Sequence, residues 1–349
     1  MVFADTLFFY LVFILCIYIL ASEYGRVKNA LFAKKWCGRC SARCIRWCGV
    51  LTCLRFEFLA PFLAKQFAQV GIEKNDGIQL HNRNPAHFIS YVTGRIHIEY
   101  ANIQFVLRMR QNILSQLRQA WTAFFTDKPM PQDRLYVDMV VADNVFDVCV
   151  FAIVNKACMR WLREKYYHLS FTKVAEIPIL PETYVVMSES SEITSTLLEN
   201  NDSFIQSIVE SDSELEYFIV SDQPPKQPKS PDQKYQKIIS FCIRLPSLQH
   251  SDRVISIVLQ CITFVDLLAD RAHWRSNISQ KLKAAREEVN RKLKKLQDEE
   301  QLTKVSKKKA EKDRLEKERV RNMSSQEQRK YLDKEREKKY KKQMKIIKV

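Results

Sequence analysis

The fifteen residues Leu7 to Ala21, LFFYLVFILCIYILA, form an uncharged apolar run. With Val2, Phe3 and Ala4 the run reaches about 20 residues, enough as a helix to cross about 30 Å of hydrocarbon, with Asp5 at the entering interface. From His87 the pattern turns to β-branched and aromatic runs, HFISYVTG (87–94) and RIHIEYANIQFVL (95–107), which predict strands. A helical run follows, with Ile113, Leu117, Trp121 and Phe124 on one face. RLYVDMVVAD (134–143) and VFDVCVFAIV (145–154) read as paired strands joined near Asp143 and Asn144. Asn155 is placed to cap a helix running through Trp161 to Tyr166.

TYVVMSE (183–189) predicts a further strand, then two short helices rich in Ser, Glu and Asn. LEYFIVSD (215–222) returns to strand, the four-proline stretch 223–233 is a loop, and KIISFCIRLP (237–246) is the last strand. Val254, Ile257, Val258, Cys261, Ile262, Val265, Leu268, Ala269 and Ala272 follow helical spacing on a helix expected to pack on the sheet and run on into the tail. Gly94 is the last glycine and Pro246 the last proline, so the C-terminal third is expected to be largely helical. The body is read as α+β. The expected organisation is a transmembrane helix at 1–21, a basic juxtamembrane region at 22–75, a cytosolic α+β domain at 76–274 and a basic charged helix or coiled coil at 275–349.

Charge sharpens this division. Residues 275–349 hold 27 Lys and Arg against 13 Asp and Glu, and residues 22–58 hold eight against two, while 59–274 carry a small net negative charge. Ile278, Leu282, Ala285, Val289, Leu293 and Leu296 make a short heptad seam. Beyond Leu302 the tail is charged all round, and its excess of positive charge suggests an anionic partner. The candidate contacts are Lys307, Lys308, Lys309, Arg314, Lys338, Lys339, Lys341 and Lys342. Arg26, Lys28, Lys34 and Lys35 follow the apolar run, which places the body in the cytosol by the positive-inside rule. A cleaved signal peptide and a secreted body is the competing reading. The sequons at Asn201, Asn277 and Asn322 would then be open to glycosylation.

Cys37, Cys40, Cys44, Cys48 and Cys53 crowd one short stretch. A zinc half-site, juxtamembrane lipidation and no special chemistry all remain open, because no second CxxC or paired histidine follows. No phosphate-binding glycine motif, GxSxG or HExxH occurs, and the six histidines are scattered. His97, expected in a strand, and His273, expected on a helix, read as packing or surface residues. Asp138, Asp143 and Asp147 invite a metal or acid–base role, but their neighbours favour a strand–turn–strand. No enzyme and no cofactor is expected.

LEYFIVSDQ, ISIVLQCITFVDLLADRAHWR and the terminal RKYLDKEREKKYKKQMKIIKV resemble calumin, the coiled-coil-domain subunit family of the PAT (protein associated with translocon) complex. The resemblance covers most of 1–36 and 59–349. It implies an endoplasmic reticulum membrane protein that binds the translating ribosome beside the translocon and pairs with the small membrane partner Asterix. Its clients would be nascent multipass membrane proteins, and its basic helix would lie against ribosomal RNA near the tunnel exit. An organiser whose tail binds anionic lipid, or a role in calcium homeostasis, is the alternative. The family's acidic luminal segment has no counterpart among the roughly five residues before the span, so calcium binding is not carried over and a truncated gene model stays open. The cysteine stretch 37–58 also has no counterpart. Its removal joins FAKKW to LAPFLAKQF as one amphipathic helix, so it is expected to be a lineage-specific insert or translated intron.

Overall fold

The computed structural model describes residues 2–37, 59–70, 81–126, 132–199, 201–210, 214–228, 235–246 and 251–322, with scattered helical positions from 326 to 340. The apolar run is helical, but the helix does not stop with it. Helix α1 extends from Val2 to Cys37, running through Ser22 and Gly25 with no proline to stop it. Its N-terminal part exposes Phe9, Tyr10, Leu11, Phe13, Ile14 and Leu20. Its C-terminal part buries Gly25, Asn29, Ala33 and Trp36, spaced four, four and three apart and therefore on one face.

Helix α2 (Ala60–Gln66) continues this structure. The Leu59 amide donates to the Trp36 carbonyl at 3.0 Å, and Leu59 is itself helical (φ −94°, ψ −32°). That bond is the ordinary link between residues four apart in a helix. Leu59, Leu63 and Phe67 carry the buried face onward into the core. The cysteines from Cys40 to Cys53 lie outside the described residues, so the zinc and lipidation readings find no geometry here.

Among the described residues all strand pairs are antiparallel, in one ten-stranded sheet. The strands are β1 (Gln69–Val70), β2 (His81–Asn84), β3 (His87–Arg95), β4 (Ile98–Val106), β5 (Arg134–Val141), β6 (Val150–Asn155), β7 (Lys173–Ala175), β8 (Tyr184–Ser188), β9 (Leu215–Ser221) and β10 (Lys237–Arg244). Their order is β1-β3-β4-β5-β10-β9-β6-β8-β7, with β2 beside β3. The segments expected to pair across Asp143 and Asn144 are both strands, yet β10 and β9 stand between them. Their apolar residues cover both faces of a central sheet, where alternation no longer marks the neighbour. His97 sits in the two-residue turn between β3 and β4 with φ 71°, not within a strand.

One sheet face is covered by α2, by α5 (Ser191–Leu198), α6 (Asp202–Glu210) and α7 (Ser251–Arg271). There Phe264 meets Phe204 and Phe218 at ring separations of 4.8 and 5.0 Å. The other face buries Ala152, Val154, Val185, Met187 and Ile219 beneath Leu162 of α4 (Lys156–Lys165) and Leu169. Asn155 caps α4 by accepting from the Ala157 amide at 3.0 Å, as its type and place predict.

The helix expected to run unbroken from Ser251 into the tail is interrupted. Helix α7 ends at Arg271 and α8 (Ser276–Arg321) begins five residues later. Neither glycine nor proline causes the break. The Trp274 amide donates to the Asp147 carboxylate at 3.0 Å, and the Asp147 amide donates to the Ala272 carbonyl at 2.9 Å. Tertiary bonds thus replace the helical ones. Ile278 and Leu282, the first two positions of the expected heptad seam, are buried in the body's core rather than against a second long helix. The chain divides into two compact units, one of residues 1–228 and 234–284, the other of 229–233 and 285–349.

Two predictions test this architecture. A helix leaves three residues between the partners of the Trp36–Leu59 bond, whereas the chain has 22. Deleting Gly38–Phe56 keeps three and should leave the thermal midpoint of the solubilised protein unchanged. Deleting Cys37–Phe58 turns Leu59 and Leu63 by about 60° from their buried positions and should lower it. Second, burial pushes the His168 imidazole down to about 4, partly opposed by the Pro224 backbone and Asp222. Its neutral form is favoured in the fold, so this contribution is complete above about pH 6.5 and fades as pH falls towards 4. His168→Phe should remove about 2 kcal/mol of acid sensitivity in chemical denaturation compared at pH 7 and pH 4.5.

Candidate functional site

The sequence-derived contacts fall into two groups. Lys307, Lys308, Lys309 and Arg314 lie on α8 with exposed side chains, while Lys338, Lys339, Lys341 and Lys342 lie outside the described residues. At about 100° per residue the three consecutive lysines point in different directions, and Arg314 shares the side of Lys307. Leu302, Val305 and Leu315 are exposed among them, so this part of α8 has no covered apolar stripe. Glu288 and Lys292 pair at 2.7 Å, and Glu287 approaches Arg291 at 3.9 Å. Both place the acid four residues before the base, the orientation that supports an exposed helix.

The body holds a polar clamp that the sequence did not announce. Asn29 is fully buried on α1. Its side-chain amide lies within reach of the carbonyls of Arg108 (2.9 Å) and Pro85 (3.2 Å), and its Oδ1 accepts from Arg110 Nη1 at 2.8 Å. Arg110 in turn pairs with Asp133, Nη2 to Oδ2 at 2.5 Å and Nη1 to Oδ1 at 3.1 Å. Asp133 also accepts from the Arg108 amide, and its backbone carbonyl accepts from the Leu245 amide. The Arg110 guanidinium sits 5.4 Å from the Phe32 ring centroid. One network therefore joins α1 to the segment after β4, the start of β5 and the end of β10. Gly25 makes the close approach possible, since a Cβ there would lie 2.2 Å from the Arg110 carbonyl oxygen. The readable signal was the spacing of Gly25, Asn29, Ala33 and Trp36, which puts a glycine and an amide on one helix face.

A second buried charge joins the sheet's interior. Glu216 of β9 is 1% exposed and accepts from Arg134 Nε of β5 and Arg244 Nε of β10, each at 2.9 Å. Cys242 lies alongside at 3.5 Å, its thiol pushed up by burial and by Glu216. The two guanidiniums leave this carboxylate paired and desolvated, an arrangement suited to fixing strand register rather than to proton transfer. A glutamate inside the otherwise apolar β9 was its signal.

The aspartates singled out from the sequence are not brought together. Asp138 lies in β5 opposite Asn102 and Ser240, its pKa raised by burial and lowered by Lys165. Asp143 is exposed in the following turn, and Asp147 holds the α7–α8 junction. His273 falls in that junction rather than on a helix. Among the described residues there is no group of three or more His, Cys, Asp or Glu that could hold a metal ion.

The fold and the clamp define a class: an α+β body built directly onto a helix long and apolar enough to cross a membrane. Family comparison makes this specific. The chain belongs to the family of the PAT complex subunit CCDC47, whose family model matches residues 7–342. A UPF0674 endoplasmic reticulum membrane protein of Schizosaccharomyces pombe is 34% identical over 234 residues, 64% of this chain and 62% of the relative. Its counterpart in Saccharomyces cerevisiae is 24% identical over 234 residues, 60% of this chain and 57% of that protein. The matched region thus spans less than two thirds of either yeast relative. The chain is accordingly an endoplasmic reticulum membrane protein of a non-catalytic, complex-forming family.

The clamp predicts its own sensitivity. Asn29→Ala removes the bond from Arg110 Nη1 and the buried amide's contacts with the Arg108 and Pro85 carbonyls, and should destabilise the body by about 1–3 kcal/mol. Gly25→Val should do so more strongly through overlap with Arg110. Tyr24→Ala, one residue away and 68% exposed, should change little. Thermal unfolding of the detergent-solubilised protein compares the three.

Proposed function

We propose that the protein is the ribosome-contacting subunit of a PAT-type complex at the endoplasmic reticulum, assisting the insertion and folding of multipass membrane proteins. The family supports a translocon-associated role. The observation that carries the ribosome contact is the exposed basic surface of α8 around Lys307, Lys308, Lys309 and Arg314, which lacks an apolar stripe. Such a surface suits phosphates of structured RNA, because contact with a backbone of charges is sequence-independent and tolerates basic groups on several sides of one helix. Lys338, Lys339, Lys341 and Lys342 extend the same composition. The body faces the cytosol in this reading, since Arg26, Lys28, Lys34 and Lys35 follow the apolar run. An Asterix-type membrane partner, the translocon and nascent multipass chains complete the proposed assembly.

Anionic lipid is the second reading, favoured by the same charge. The exposed apolar residues Leu302, Val305 and Leu315 are aliphatic and few, which suits an interfacial helix poorly.

Sucrose-gradient sedimentation of solubilised microsomes separates the two. Changing Lys307, Lys308 and Lys309 to Glu, or Lys338, Lys339, Lys341 and Lys342 to Glu, should shift the protein off ribosomes while leaving it folded and inserted. Each lost phosphate contact should reduce the log–log salt slope by roughly 0.7–0.9. Competition by anionic liposomes with no effect of nuclease would favour lipid. Association insensitive to salt and to both charge reversals would assign ribosome contact to the α+β body.

A further inference from the structure

Helix α3 (Ile113–Thr126) faces the wrong way for a helix of a water-soluble domain. Leu114, Leu117, Trp121, Phe124 and Phe125 are 67%, 62%, 68%, 82% and 64% exposed, whereas the polar Ser115 and Gln119 are partly covered. The five apolar side chains fall within an arc of about 100° at 3.6 residues per turn. The aromatic rings cluster, Trp121 lying 4.7 Å from Phe125 and Phe125 5.2 Å from Phe124. A contiguous exposed apolar face of this kind requires a partner.

The place of α3 identifies that partner. Gly25 of α1 abuts the backbone of Arg110 and Gln111, two residues before α3 begins, and α3 itself lies against α1. Gly25 is four residues beyond Ala21, the end of the uncharged run. That is about 6 Å along the helix axis, within the depth of one headgroup layer. Tyr24 is exposed at the same level with the Lys28 ammonium 6.0 Å from its ring, an aromatic and a basic side chain of the kind found where a span leaves the bilayer. The exposed face of α3 therefore stands beside α1 close to where the apolar run ends.

We propose that α3 lies in the membrane interface, with Leu114, Leu117, Trp121, Phe124 and Phe125 set among the headgroups and upper acyl chains beside the exit of α1. The protein then contacts the bilayer twice, once across it and once along its surface. Tryptophan and phenylalanine suit this depth, being large apolar surfaces that tolerate the boundary region, and Arg118 at the edge of the face meets lipid phosphate.

The test uses the full chain reconstituted in phosphatidylcholine–phosphatidylinositol vesicles in which the phosphatidylcholine is brominated near the carbonyl end of its acyl chains. Bromine quenches only tryptophan in contact with lipid, and subtracting the spectrum of Trp121→Phe isolates Trp121. Quenching of that component, and its loss in the variant, is the expected result. Emission from Trp121 unchanged by brominated lipid would overturn the proposal. As an independent measurement, p-benzoylphenylalanine in place of Phe124 in native microsomes should yield a phospholipid adduct on irradiation. An adduct to another membrane protein would show that the face is a helix-docking surface, and would equally overturn it.

Discussion

The structure depends on one joint, where α1 meets the body. Helix α1 enters the body without a linker, and the Asn29–Arg110–Asp133 network holds its buried face against the ends of three sheet elements. A buried amide with satisfied donors and acceptor is costly to break, because each partner left behind is already out of water. Gly25 sets the distance by letting a backbone carbonyl approach where any side chain would intrude. The orientation of the α+β body to the membrane follows from the direction of α1 rather than from a tether. That is why an exposed helix next to Gly25 can be placed at a depth at all.

The same logic organises the sheet. Its centre is covered on both faces, so hydrophobic burial alone does not select among β6, β8, β9 and β10 as neighbours. Glu216, with one guanidinium from the adjacent β10 and one from β5 beyond it, adds a discriminating contact, since a slip of either strand would leave a carboxylate unpaired in the core. Asp147 acts similarly at the far end of α7. It captures the Trp274 amide and so divides a run of good helix formers into a core helix and a rod. In each case one polar side chain decides geometry that the apolar residues around it leave open.

This sets what the sequence could reveal. The strands at 87–94, 184–188, 215–221 and 237–244, the cap at Asn155 and the apolar stripe of α7 were legible, because each rests on local spacing or local capping. Strand order was not, since β5 and β6 are neighbours in sequence and separated in the sheet by partners far along the chain. The short strands β1, β2 and β7 carry too little pattern to be seen. The α7–α8 break was hidden because its cause, Asp147, lies 127 residues from Trp274. The basic tail was legible in charge alone, and Lys307, Lys308, Lys309 and Arg314 are exposed on α8. The clamp was partly legible, for its face can be read from α1 but its partners cannot. The aromatic face of α3 was visible as a face, and only the structure gives its direction.

The bond from Leu59 to Trp36 carries a further consequence, one of evolutionary latitude. Both residues are buried in the core, so the two ends of the intervening sequence are fixed by the fold rather than by that sequence. The entropy of closing a chain segment grows only logarithmically with its length, roughly 0.6 kcal/mol for each doubling. Natural selection acting on stability is therefore almost blind to how many residues stand between them. This position is a port at which a lineage can gain or lengthen sequence, or shed it down to the three residues that keep the helical register beyond it.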